Sequence, residues 1–138
     1  MKLPPYILLT LSFLEGAAVL AVELIVAKML APVYGDSIYV WTTVIGITIT
    51  GLSVGYFIGG ILIDKYKDLN HLFFVLLAAA SVILFIPAIL NHLTVALIDR
   101  DIISSVVIIS ISVLFPSLLF LGMVPSMIIR IWSASVET

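Results

Sequence analysis

The chain of 138 residues has no cysteine and very little charge. Without cysteine there is no disulfide framework and no thiolate metal site. Charged residues make up 10% of the sequence, against about 25% in ordinary soluble domains. The net charge is −2 and no basic stripe is present, which sets nucleic-acid binding aside. There are only two histidines, His71 and His92, and they flank the two ends of one apolar run, too far apart to hold one metal within a chain. No nucleophile–base set and no cluster of metal-ligating side chains is visible, so neither an enzyme nor a cofactor is expected.

What is present in abundance is apolar: 63% of the chain is hydrophobic, in long runs with the charges collected between them. That pattern belongs to an integral membrane protein. The sequence predicts an all-α fold, a single domain over residues 1–138 with four transmembrane helices at about 5–31, 39–63, 71–91 and 102–132. Pro4 and Pro5 suit the first helix start, where a missing N–H is harmless, and Pro32 and Gly35 stop it. Asp36 or Ser37 is placed to cap the second helix. Pro87 should kink the third helix, and residues 93–98 either extend it or lie at the interface. Pro116 and Pro125 should bend the fourth, whose Ser105, Ser110, Ser112 and Ser117 are expected to bond back to helix carbonyls or across to a neighbour. The first apolar run is of spanning length and holds two glutamates, unlike the short core of a removable signal.

The second helix carries Gly51, Gly55 and Gly59 at spacings of four. Four residues advance a helix by slightly more than one turn, so these glycines form one smooth stripe. In a water-soluble helix each would cost roughly 1 kcal/mol against Ala. In lipid, small-residue stripes are where helix backbones approach closely, and the stripe is expected to be a helix–helix contact within or between chains.

Four helices put both termini on one side. With the N-terminus inside, the inner segments hold Lys2, Lys65, Lys67 and Arg130 and the outer ones Lys28 and Arg100. The bias favours N-in and C-in, and is small enough to leave dual insertion open.

Charge at hydrocarbon depth costs about 2.5–3.5 kcal/mol per residue on insertion scales, so each instance needs a reason. Glu15 and Glu23 lie either side of the middle of the first helix. Eight residues separate them by about 12 Å along the axis and about 80° around it, so they share a broad face but not a proton or an ion. Two readings apply. They line a polar, cation-attracting cavity, or they lock the bundle by hydrogen bonds and ion pairs between helices. Lys28 snorkels to one interface, Arg130 sits near the headgroups of the other, and Tyr39 and Trp41 belong to an aromatic belt. The candidate solute-binding set is Glu15, Glu23, Lys28, Trp41 and Arg130.

The stretch from Leu14 to Lys65, LEGAAVLAVELIVAKMLAPVYGDSIYVWTTVIGITITGLSVGYFIGGILIDK, resembles the first two helices of the membrane-embedded spermidine-synthase-like proteins. The matching positions are Glu15, Gly16, Glu23, Lys28, Leu30-Ala31-Pro32, Gly35, Ser37, Tyr39 and Trp41, continued by Gly46, Gly51, Gly55, Gly59, Gly60 and Asp64; Pro125 and Arg130 resemble that family's fourth-helix ending. The resemblance implies a transporter-like membrane domain related to the major facilitator superfamily. Gly60, Asp64 and Lys65 match the facilitator loop, but Lys67 and Asp68 stand where a glycine and an arginine are expected. No Gly-rich nucleotide loop or acidic active-site cluster follows the fourth helix, so polyamine-synthesis chemistry is not expected; the chain reads as a natural half-sized protein or as an N-terminal part. The expected function is binding or moving a small cationic solute as a homo-oligomer, first of all a dimer, in the cytoplasmic membrane of a prokaryote. The alternative is a non-transporting anchor or assembly module for a synthase-like enzyme.

Overall fold

The computed structural model describes residues 4–66 and 69–136. They form four helices, α1 (Pro5–Tyr34), α2 (Ile38–Tyr66), α3 (Leu69–Ala96) and α4 (Ile102–Val136), and no strand among the described residues. All four are long and apolar enough to cross a membrane. This is an all-α architecture of four candidate spans.

The helices run further than the sequence predicts. Pro32 does not stop α1, because proline in a last turn only leaves the Lys28 carbonyl without its amide. Termination falls at Gly35, whose φ of 80° suits glycine and whose N–H bonds the Ala31 carbonyl at 2.9 Å. Neither Asp36 nor Ser37 caps α2 with its side chain: Asp36 accepts from the Trp41 indole at 2.6 Å, and the Ser37 carbonyl takes the Trp41 amide at 3.2 Å. Residues 93–96 extend α3, with Pro87 inside it. A tight turn then leads to Asp101, whose carboxylate accepts from the Ser104 amide at 3.3 Å and caps α4. Lys67 and Asp68, the two departures from the facilitator-type loop, lie outside the described residues.

The last helix is the centre. α4 packs against all three others and is by far the most buried; α1 and α2 also touch. α2 and α4 run parallel and in constant register: Gly51 faces Leu118, Gly59 faces Met123, and Asp64 meets Arg130. Here the glycine stripe meets backbone rather than side chains. A Cβ at Gly59 would stand 2.6 Å from the Met123 carbonyl oxygen, and one at Gly122 2.8 Å from that of Leu52; one at Gly55 would collide with the Leu119 carbonyl. The Ser126 hydroxyl adds a bond across the interface to the Tyr56 carbonyl, at 2.9 Å.

The buried apolar side chains fall into two clusters. One joins Val19, Val22 and Val26 of α1 to Val44, Ile86 and Ile109, toward the end that carries the 35–37 turn. The other joins Leu8 to Ile63, Val75 and Met127, toward the end that carries Asp64 and Arg130.

Candidate functional site

The inward stripe of α1 is Leu8, Glu15, Val19, Val22, Val26 and Leu30, spaced by three, four and seven residues, so all lie on one helix face. Glu15 therefore occupies a core position, and it sits where the two apolar clusters part: Leu8 belongs to one and Val19 to the other. It is 9% exposed and has no hydrogen bond or ion pair with any described residue. The titratable group within electrostatic reach is Tyr56 of α2. The chain geometry accounts for this: Glu15 is about as far before the 35–37 turn as Tyr56 is after it.

The other predicted site residues do not join Glu15 in one chain. Glu23 is half-buried, about 12 Å along the helix, at the edge of the inward face between Leu30 and Ala27. Lys28 is exposed near the 35–37 end. Trp41 lies at that same end, half-buried against the first core cluster and held by Asp36. Arg130 is at the opposite end in an ion pair with Asp64, N to O 2.9 Å, with the two side chains 58% and 50% exposed. These residues make two interfacial fixtures, Asp36–Trp41 and Asp64–Arg130, and one isolated buried carboxylate.

A second polar feature lies between Glu15 and the 35–37 end. Thr48, Ser110 and Ser117 are buried. Thr48 and Ser117 bond back to the carbonyls of Val44 and Val113, each at 2.8 Å. Ser110 does not: its oxygen is buried without a hydrogen-bond partner, as are the hydroxyl oxygens of Tyr34 and Thr94. From sequence, Ser110 was indistinguishable from the serines that do bond back.

Chemically, an unpaired carboxylate in an apolar interior can hold a proton or one monovalent cation. Among the described residues no three His, Cys, Asp or Glu side chains group as a metal site. No protein-family model, curated protein or solved structure matches the chain.

Proposed function

We propose that the protein is a small transporter-like membrane protein that binds and moves a small cationic solute, with Glu15 as the central binding group. The observation that carries this reading is the burial of Glu15 on the core face of α1 without a counter-charge among the described residues. A carboxylate that served only to lock helices together would be paired, because an unpaired charge at this depth is costly. The resemblance of residues 14–65 to a transporter-like membrane domain points the same way. Four helices do not enclose an alternating-access path alone, so the working unit is a homo-oligomer, first of all a dimer. The outward face of α1 supports this: a Cβ at Gly16 would meet nothing within 4 Å, leaving room for a neighbour. The membrane is the cytoplasmic membrane of a prokaryote, with both termini inside.

The test is Glu15→Gln in proteoliposomes. Flux of a monovalent cation or protonated amine should vanish while the variant inserts and assembles like the wild type. Normal flux through Glu15→Gln refutes the site. If the wild type moves no small cation, the assembly-module reading replaces transport.

A further inference from the structure

We propose that buried hydroxyls between the 35–37 end and Glu15 form a water-assisted proton path to that carboxylate, making the proton the coupling ion. This rests on the reading of Glu15 as a functional site and extends it.

The first support is an exception to a rule. Helix hydroxyls in this chain habitually satisfy themselves on the carbonyl one turn back, as Thr48, Ser112 and Ser117 do. Ser110 is completely buried and does not, and neither does Thr94 on the facing α3. A buried hydroxyl without a partner costs about 1–3 kcal/mol, and a bond to its own helix would be the ready remedy. Hydroxyls turned away from that remedy are oriented to take water, which needs several polar partners to reside in a core.

The second support is spacing. Ser110 and Ser117 are seven residues apart, so they share one stripe of α4, about 10 Å apart along it. Thr48 precedes by three residues Gly51, which faces Leu118 at 3.1 Å. Thr48 therefore lies at a level between the two serines. Glu15 lies at the level of Tyr56, the neighbour of Gly55, which packs on Gly122, and so stands roughly 8 Å beyond Ser117 in helix rise. In helix rise the steps are about 3–8 Å, within the span of one or two waters whose oxygens stand about 2.8 Å apart. Thr48 and Ser117 donate their one O–H to the Val44 and Val113 carbonyls, so their oxygens hold the waters as acceptors, while Ser110, whose O–H is not engaged, accepts from one water and donates to the next; the proton passes along the waters and through Ser110.

The third support is charge. From the elements around Glu15 the titratable groups are Tyr56 of α2 and, toward the far end about 12 Å or more along in helix rise, Asp64 and Lys65 of α2, His71 of α3 and Arg130 of α4, of which Asp64 and Arg130 engage each other. Glu23 of α1 itself lies a similar distance the other way. Nothing on this route offers a metal cation a set of charged ligands, whereas a proton needs only oxygens.

The experiment uses the full chain in liposomes loaded with a pH-sensitive dye, with a potassium diffusion potential driving protons inward. Wild-type liposomes should acidify faster than protein-free ones. Ser110→Ala should slow this at least about tenfold, equivalent to about 1.4 kcal/mol of barrier. Its thermal stability should be equal or higher, because the substitution removes an unsatisfied polar group. Ser112→Ala, at an exposed and back-bonded position, should leave the rate unchanged. The path is refuted if Ser110→Ala conducts like the wild type, if Ser112→Ala is equally impaired, or if wild-type liposomes acidify no faster than empty ones. Proton uptake absent with Glu15-dependent cation flux present sinks the path and leaves the transport reading standing. Proton uptake lost in both Ser110→Ala and Glu15→Gln, without flux of any solute, supports the path and sinks the solute.

Discussion

The α2–α4 interface makes a quantitative prediction, because the same helix carries glycines in two environments. At Gly59 a methyl group would stand 2.6 Å from the Met123 carbonyl oxygen, and at Gly55 it would strike the Leu119 carbonyl and lie 3.0 Å from the Gly122 Cα. These neighbours are backbone, so no side chain can rotate aside. To reach the 3.4 Å of an ordinary contact the helices must separate by roughly 0.8 Å at Gly59, and by more at Gly55. A gap of 0.5–1 Å forfeits about a quarter to a half of each dispersion contact along the seam. It also stretches the Ser126–Tyr56 bond from 2.9 Å beyond hydrogen-bond length. Overpacking costs about 1–3 kcal/mol and the lost bond about 0.5–1.5, so Gly55→Ala should destabilise by about 2–4 kcal/mol, and Gly55→Leu by more. A Cβ at Gly60 or Gly46, on the same helix, meets nothing within 4 Å. Gly60→Ala should be neutral or stabilising by up to about 1 kcal/mol, from helix propensity alone. Thermal unfolding of the detergent-solubilised variants, followed by loss of monodisperse protein, measures the contrast. Equal midpoints for Gly55→Ala and Gly60→Ala would refute the backbone-to-backbone packing.

Two further predictions concern the ends of the bundle. The Asp64–Arg130 pair is half-exposed, so a double-mutant cycle with Asp64→Asn and Arg130→Gln should give a coupling of no more than about 1 kcal/mol, shrinking as salt is added; several kcal/mol would mean the pair works in a desolvated site. Single cysteines placed at Asp36 and at Lys65 should label from opposite sides of the membrane, Lys65 from the cytoplasmic side; labelling of each from both sides would show dual insertion.

The four helices were legible in the sequence because apolar runs of spanning length with few charges leave little else for the chain to be. Their ends were less so. Pro32 reads as a stop, yet the geometric stop is Gly35, since proline near a C-terminus removes an amide bond without obliging the chain to turn. The hub role of α4 was hidden for a physical reason. In lipid both the inward and outward faces of a helix are apolar, so hydrophobic periodicity no longer marks the buried side. Gly51, Gly55 and Gly59 are visible as a spacing, but their counterpart Gly122 is an isolated glycine in a different helix, and no pattern joins the two. Glu15 and Glu23 look equivalent in the sequence. What separates them is place on the inward face of α1: Glu15 lies in the middle of the stripe of Val19, Val22 and Val26 and is buried, while Glu23 lies at its edge and is half-buried.

The position of α4 also dictates an order of events during biosynthesis. Of the four helices it is made after the other three, and it is the helix on which they pack. Until it arrives, the glycine face of α2 has no backbone to rest on and the Val19–Val26 face of α1 no core. The first three spans must therefore wait in the lipid or in the grip of the insertion machinery, with Glu15 uncovered. Packing of these four helices therefore waits for the 35 residues of α4, and a ribosome that stalls before them leaves α1 to α3 in the membrane with the Glu15 carboxylate uncovered.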